Sequence, residues 1–411
     1  MGYIAVKGGT QAILNTEELV EYFRIKGESP PISVRQIQDQ MRLAVDRVMS
    51  EGALYAPELA ALALKQSEGD TLEASLLLRA YRSTQPRILY SLPVEGVRMR
   101  LLRHISATFK DIPGGQILGP SRDYHLRLLK TSLRHESSAS MQQELSRLQE
   151  KVAHEALAEP PMTFPKVIES MRAQGLLAEP PPQEQAEAAA EPYDTTRQTL
   201  TFPAPRSARL QVLAQADAGS VLSFAYSSVR GYGDVHPTLG ELRSGYLPVE
   251  IAHPLTGEPV EIGEILATEC EMVSRVQTDA QESQPQREAA PPKFGLGYGF
   301  CFGQCEVKAM SMSILDRVLS AAKESSMHGE NGPAANEEFV LLHVDGVEAC
   351  GFTAHFKLPH YVTFQADISV LERTREHRAA QFTQTIAKRQ QAINQRESLA
   401  PSDEENYLHD K

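Results

Sequence analysis

Lys293-Phe-Gly-Leu-Gly-Tyr-Gly-Phe-Cys-Phe-Gly303 alternates apolar or aromatic residues with glycine. Period two is the pattern of a strand, and glycine at every second position lets another backbone come close. Directly behind it, EVKAMSMSILDRVL (306–319) repeats its apolar residues at helical spacing, with Val307, Met310, Ile314, Leu315 and Val318 on one face. The methionines on that helix read as core filling. Working outward, Glu241-Leu-Arg243-Ser-Gly245-Tyr246-Leu-Pro-Val-Glu-Ile alternates as a second strand, and Val260 to Leu266 suggests a third, shorter one. Ala208 to Ala216 predicts a helix, and Leu222 to Tyr226 a strand or the start of a buried helix. Asn336 to Gln365 (NEEFVLLHVDGVEACGFTAHFKLPHYVTFQ) reads as an alternating sheet segment, followed by a charged helix from Ser369 to about Arg396.

The N-terminal third reads differently. Gly2 to Lys7 predicts a short strand and Thr10 to Lys26 a helix. Ser33-Val-Arg-Gln36 resembles a capping box, Pro57 opens a helix, and Gly69-Asp70-Thr71 ends one helix and caps the next. The expected fold class is α+β. A mainly helical region (1–131) is joined by a Pro/Ala/Glu-rich linker (132–197) to a region with a mainly antiparallel sheet (198–370), and a charged helix and tail follow (371–411).

The 411 residues are 41% hydrophobic, enough for a substantial core, and carry a formal charge of −12. That charge argues against non-specific binding to nucleic acid or anionic membrane, so an anionic substrate needs a local pocket of cations or backbone N–H groups. No apolar run reaches membrane-spanning length and no leader pattern opens the chain, which predicts a soluble cytoplasmic protein. Cys270, Cys301, Cys305 and Cys350 form no CxxC knuckle and read as reduced thiols.

Several stretches carry possible chemistry. Ile112-Pro-Gly114-Gly115 and Gly119-Pro120 turn sharply and are flanked by Arg103, Lys110, Arg122 and His125. They read either as a structural hairpin or as a phosphate cradle, since neither a P-loop nor a dinucleotide fingerprint is present. Arg79, Arg82 and Arg87 crowd the end of one helix, as dipole compensation or as an anion-facing edge. Arg230-Gly-Tyr-Gly-Asp-Val-His236 is a polar glycine loop. Glu269 and Glu271 flank Cys270, either as exposed acids around a buried thiol or as carboxylates for magnesium or a ribose hydroxyl. His355 and His360 are five residues apart. In an extended strand they would point to opposite faces roughly 16 Å apart, whereas one metal ion needs both nitrogens at about 2 Å. Sharing an ion therefore requires a bend at Lys357-Leu358-Pro359, for which Pro359 has the turn chemistry. Ordinary sheet histidines are the other reading.

The order of motifs carries a resemblance. AVKGG (5–9), LAVDRVMSEG (43–52), FKDIPGGQILGP (109–120), RGYG and His236-Pro237, RSGY (243–246), TECEMV (268–273) and the stretch 337–365 are similar to the PhnI family, subunit I of the bacterial carbon–phosphorus lyase core complex. The resemblance covers most of 3–130 and 205–375; a longer central linker and C-terminal tail depart from it. It implies displacement of adenine from MgATP by an alkylphosphonate at ribose C1′, giving a ribose 1-alkylphosphonate 5-triphosphate, with ATP or GTP nucleosidase activity when the subunit is alone. The partners it implies are subunits G, H, J and L and a second copy of subunit I. It also implies that His355 and His360 match a histidine pair holding Zn²⁺ at the contact with subunit J, and that Mg²⁺ enters as MgATP. Such a reaction needs carboxylates near an oxocarbenium-like carbon and a proton for the departing base. Glu269, Glu271 and His236 are the catalytic candidates on this chain, and Lys110, Gly114, Gly115, Arg122, Arg230 and Arg243 the substrate-binding ones. The alternative is a non-catalytic scaffold subunit that supplies the interface zinc site.

Overall fold

The computed structural model describes residues 9–155, 164–180, 185–186, 191–230, 237–276, 293–324 and 332–398. The expected strand at Gly2–Lys7 lies outside them, as do residues 156–163, 181–184 and 187–190 of the linker; the rest of the linker includes helix α6 (Ser138–Glu155). The chain divides into two compact units, one spanning Arg24–Gly351 and the other comprising Met1–Phe23 and Phe352–Lys411.

In the larger unit, four helices form an N-terminal layer: α2 (Val34–Gln40), α3 (Arg42–Gly52), α4 (Pro57–Gln66) and α5 (Thr71–Thr84). The capping box at the start of α2 is made in both directions, Gln36 N–H to Ser33 Oγ at 3.1 Å and Ser33 N–H to Gln36 Oε1 at 2.8 Å. Pro57 occupies the first turn of α4 and Asp70 caps α5. Val45, Val48, Met49, Leu64 and Leu78 make the core of this layer. Arg79 and Arg82 are structural. Arg79 binds the carbonyls of Glu51 and Gln215 and the Asp345 carboxylate, and Arg82 caps the last carbonyls of α3. Arg87 pairs with Asp194.

The sheet is antiparallel throughout, in the order β1 (Arg100–Ile105), β2 (Thr238–Ala252), β3 (Pro259–Arg275), β4 (Phe294–Phe302). The fold is α+β, as the pattern of the sequence predicts. Gly295, Gly297 and Gly299 of β4 all face one helix, here α10 (Glu306–Glu324). A Cβ at Gly297 would stand 2.0 Å from the Ser313 carbonyl oxygen, and one at Gly299 2.0 Å from that of Ala309. The helix backbone therefore lies directly on the strand. Ser313 bridges the two elements, donating to the Gly297 carbonyl at 2.8 Å and accepting from Met272 N–H at 3.0 Å. Leu242, Cys270, Met272, Cys301, Met312 and Leu315 fill the main core on this face, with helices α8 (Arg206–Gln215) and α9 (Ala218–Arg230) beyond them. Leu222–Tyr226 thus belongs to a helix.

The sheet reading of Asn336–Gln365 is wrong. The segment forms α11 (Glu337–His343), α12 (Gly346–Ala354), a 3₁₀ turn (His355–Lys357) and the start of α13 (Tyr361–Ser398). Side-chain caps select the helical period here. Asn336 Oδ1 accepts from Phe339 N–H at 2.9 Å and Asp345 Oδ1 from Val347 N–H at 3.0 Å, which satisfies donors that a strand would have offered to a neighbour. The buried Val340, Leu341 and Val344 are one face of a helix, not alternate strand positions.

In the smaller unit, the long α13 exposes Phe364, Leu371, Phe382, Ile386 and Ile393. Helix α1 (Gly9–Ile25), most of which belongs to this unit, has no buried residue. Among the described residues no helix is long and apolar enough to cross a membrane.

Candidate active site

The sheet face turned away from α10 is closed at both ends by apolar residues. Ile168, Met171 and Leu177 pack on Val273 at one end, and Met99 meets Leu247 and Ala267 at the other. Between them the face is charged. Register pairs Glu241 of β2 with Glu271 of β3, and Arg243 with Glu269, while His104 of β1 lies opposite Arg243 and Tyr298 of β4 opposite Glu271. Alternation along each strand sends these side chains to the same side. They are almost dry: His104 is 0% exposed, Glu241 and Arg243 1%, Glu269 3% and Glu271 5%. The reading of Glu269 and Glu271 as exposed acids is therefore corrected.

Burial comes from a short strap, Phe164 to Val167, that leads into α7 (Val167–Ala173). Lys166 Nζ donates to Glu269 Oε1 at 2.6 Å and to Glu271 Oε1 at 3.1 Å. Val167 N–H donates to Glu241 Oε2 at 2.7 Å, and Arg243 Nη2 to the Phe164 carbonyl at 3.1 Å. The Phe164 ring stacks on His104 with centroids 6.3 Å apart. Glu241 is the best compensated acid, with His104 Nε2 at 2.8 Å and Arg243 Nη1 at 3.3 Å from Oε1. Glu269 also accepts from the Tyr298 hydroxyl at 2.9 Å. Glu271 has only its share of Lys166.

Three carboxylates thus face two fixed cations, Lys166 and Arg243. The surplus falls on Glu271. Burial raises its pKa, the pull of Lys166 opposes this, the neighbouring Glu269 and Glu241 push further up, and the result is about 7. Burial lowers Lys166, but Glu269 and Glu271 outweigh it and hold the ammonium above its ordinary range. Burial and then Glu269 keep the Tyr298 phenol well above its ordinary value.

Glu269 Oε2, Glu271 Oε2 and His104 Nδ1 are buried without a hydrogen-bond partner. Buried polar atoms are ordinarily satisfied, and leaving one unmet costs on the order of 1–3 kcal/mol. A face that keeps two carboxylate oxygens and an imidazole nitrogen open is arranged to receive something. Gly96 packs against one of these oxygens, where a Cβ would stand 2.5 Å from Glu269 Oε2. The chemistry on offer is stabilisation of a cationic centre by Glu269 and a proton held near neutrality on Glu271.

The other residues singled out in the sequence are spread around the unit. Gly114 packs against Phe164, where a Cβ would stand 2.2 Å from the ring. The Gly115 N–H is used on the Ile112 carbonyl at 2.9 Å. His104 and Ile117 exchange backbone hydrogen bonds at 2.8 and 2.7 Å, so the glycine turns close a hairpin. Lys110 and Arg122 are exposed. Arg103 is buried on the opposite side of the sheet, paired with Glu306 at 3.0 Å and with Asp123. Arg230 ends α9, its guanidinium 5.8 Å from the Tyr226 ring centroid. His236 lies outside the described residues. Of the proposed set, Glu269, Glu271 and Arg243 share the carboxylate face and Gly114 borders its strap. Glu241, His104, Lys166 and Tyr298 belong to that face and the sequence reading missed them.

In the smaller unit the chain bends after the 3₁₀ turn, and the His355 and His360 rings have centroids 5.5 Å apart. Each Nδ1–H donates to a backbone carbonyl, that of Phe352 for His355 and that of Leu358, at 2.6 Å, for His360. A carbonyl cannot donate, so both rings carry a proton on Nδ1. A metal-ligating histidine is commonly anchored in this way through its other nitrogen. The donor set and spacing fit one shared ion. Among the described residues no group of three or more His, Cys, Asp or Glu is arranged to hold a metal, so the two histidines alone could fill only half of a tetrahedral shell.

Comparison with known proteins gives the context for both sites. The chain is 51% identical over 388 residues (93% of this chain, 99% of the relative) to a putative C-P lyase subunit protein, HtxH, of Stutzerimonas stutzeri. It is 45% identical over 378 residues (91% of this chain, 98% of the relative) to the alpha-D-ribose 1-methylphosphonate 5-triphosphate synthase subunit PhnI of Escherichia coli (strain K12). The Rhizobium meliloti (strain 1021) protein of the same name is 43% identical over 382 residues, covering 92% of this chain and 96% of that one. The model of a family described as bacterial phosphonate metabolism protein (PhnI) matches residues 2–378, and the chain belongs to that family.

Proposed function

We propose that this chain is the catalytic subunit that displaces adenine from MgATP by an alkylphosphonate at ribose C1′, giving a ribose 1-alkylphosphonate 5-triphosphate. Alone it acts as an ATP and GTP nucleosidase, with water in place of phosphonate. The observation that supports this reading is the buried carboxylate face with its unpartnered oxygens. Breaking an N-glycosidic bond builds positive charge on C1′ and O4′, and an ionised carboxylate in a dry site is worth most there. Glu269, with two donors fixing Oε1 and Oε2 left open, is the group for C1′. Arg243 and the Gly114–Gly115 hairpin border the same face, and Mg²⁺ enters on the triphosphate. The test is incubation of the purified chain with MgATP or MgGTP: free adenine or guanine should accumulate, and correctly folded protein that releases neither would favour a scaffold.

In the closed arrangement the Lys166 ammonium occupies the position between Glu269 and Glu271 that a cationic sugar would take. The strap therefore gives way when nucleotide enters. The Val167 amide, bonded to Glu241 at 2.7 Å, should be protected from hydrogen exchange in the free protein and exchange faster, by about tenfold or more, with saturating MgATP. Nucleotide that binds while Val167 stays protected would contradict displacement of the strap.

The scaffold reading is favoured by a different observation, the apolar side chains that α1 and α13 expose, among them Val20, Phe23, Phe364 and Phe382. Such surface fits burial against other subunits. Subunits G, H, J and L and a second copy of this chain are the partners in either reading. His355 and His360 would hold Zn²⁺ through Nε2 at a subunit contact, with the remaining ligands from water, substrate or partner. Zinc there would supply a Lewis acid. Replacing both histidines by alanine should lower the zinc bound by the assembled complex by about one ion per copy and abolish carbon–phosphorus bond processing. Unchanged metal content by elemental analysis would remove the pair from the site.

A further inference from the structure

We infer that Glu271 is the acid that protonates the departing base, while Glu269 remains ionised beside the sugar. The inference rests on the proposed reaction and divides its labour between two carboxylates two residues apart on one strand.

The division follows from how each is partnered. Glu269 Oε1 receives two donors, Lys166 Nζ at 2.6 Å and Tyr298 Oη at 2.9 Å. Donors of this kind stabilise the anion and have nothing to give the protonated acid. Glu241 accepts from the Val167 N–H and lies against His104 and Arg243. Glu271 has the single longer contact to Lys166 at 3.1 Å and a buried, open Oε2. With three carboxylates and two fixed cations, one proton neutralises the face, and the least compensated oxygen is where it resides. The raised affinity of Glu271 for its proton, up to about 7, agrees with that count. Two carboxyl groups in unlike environments, one of them holding its proton near neutrality, are an arrangement that acid catalysis at a glycosidic bond uses.

The step balances without a further reactant. The C1′–N9 bond breaks and its electron pair stays on the base, which takes the Glu271 proton at a ring nitrogen and leaves neutral. A phosphonate oxygen, or water, forms the new bond to C1′. With water, the proton it sheds restores Glu271; with phosphonate, solvent does. The charged and titratable groups around Glu271 are Lys166 from the strap, Glu241 and Arg243 from β2, Glu269 from its own strand and Tyr298 from β4, with His104 of β1 on the far side of Glu241.

The test uses a nucleotide whose base needs no proton. In 7-methylguanosine 5′-triphosphate the methylated N7 already carries the positive charge that protonation would provide. Purified full-length Glu271→Gln should release guanine from GTP on the order of 10²–10⁴-fold more slowly than the unaltered chain, the usual range for loss of a general acid. It should release 7-methylguanine from the methylated nucleotide within about tenfold of it. Glu269→Gln should slow both, and GTP at least as much as the methylated nucleotide, since both pass through the same cationic sugar while only GTP needs the proton that Glu269 helps to hold on Glu271. For the unaltered chain, kcat on GTP should fall as pH rises through about 7, and kcat on 7-methyl-GTP should stay flat. This pH comparison holds even if Glu271→Gln folds poorly. Equal slowing of the two nucleotides by Glu271→Gln, or the same pH dependence for both, would overturn the assignment. No release from either nucleotide by the unaltered chain would remove the proposed reaction and the assignment with it.

Discussion

Glu269→Gln is expected to reduce adenine release from MgATP on the order of 10³-fold, with little change in thermal stability. Removing one preorganised electrostatic group in a dry site costs about 10²–10³-fold, and here the group lost is a full charge beside the reacting carbon. The amide is isosteric, and its oxygen still accepts from Lys166 and Tyr298, which now lie at 2.6 and 2.9 Å from Oε1. Lys166 keeps Glu271 as a partner at 3.1 Å, so no buried cation is stranded, which is the usual reason such variants unfold. The Gln variant also relieves the excess of carboxylates on this face. Activity and stability should therefore separate: base release falls while the melting curve holds. Loss of both together would make Glu269 a structural residue. Retained base release in a folded variant would move the reaction away from this face.

The largest effect on stability is expected at β4. In Gly297→Ala the added methyl would stand 2.0 Å from the Ser313 carbonyl oxygen and 2.8 Å from the Arg317 Cβ. Neither is the free end of a flexible side chain, so helix α10 would have to lift from the strand. Lifting it breaks the Ser313 bridge to Gly297 and Met272 and opens the core around Met312 and Leu315. Overpacking of a rigid core commonly costs about 1–3 kcal/mol, and displacement of a whole helix belongs at or above the top of that range. Gly351→Ala is the matched control. It lies within α12, and an added Cβ meets nothing within 4 Å, so helix propensity predicts a neutral or slightly stabilising change. Thermal unfolding of the two purified variants checks this; equal melting temperatures would mean that α10 does not rest on the glycine face as described.

That glycine face is also where the sequence is most readable. Alternating aromatics and glycines followed by an amphipathic run lead directly to β4 and α10, because both patterns are local. The Ser33 box and the Pro57 start are local in the same sense. The stretch 336–365 misleads because its apolar residues are dense enough to fit either period, and the deciding feature is a pair of side-chain caps, Asn336 and Asp345. Glu269 and Glu271 stand out in the sequence, but their burial does not, since it depends on a strap distant in the chain. Lys166 sits in a proline-rich stretch that reads as linker, and nothing local marks it as the cation of a buried cluster. Glu241 and His104 are single polar residues in apolar strands, and only cross-strand register brings them together. Glu241 and Arg243, like Glu269 and Glu271, are two charges on the same face of a strand, and that spacing is the local sign that this side of the sheet is not plain core.

The most direct test of the account is a structure of the full chain with Mg²⁺ and 9-deaza-adenosine 5′-triphosphate, whose carbon-linked base cannot depart. The account predicts that ribose C1′ lies against Glu269 Oε2, the base edge beside Glu271, and Lys166 withdrawn from between them. A nucleotide bound elsewhere, with Lys166 still bridging Glu269 and Glu271, would contradict it.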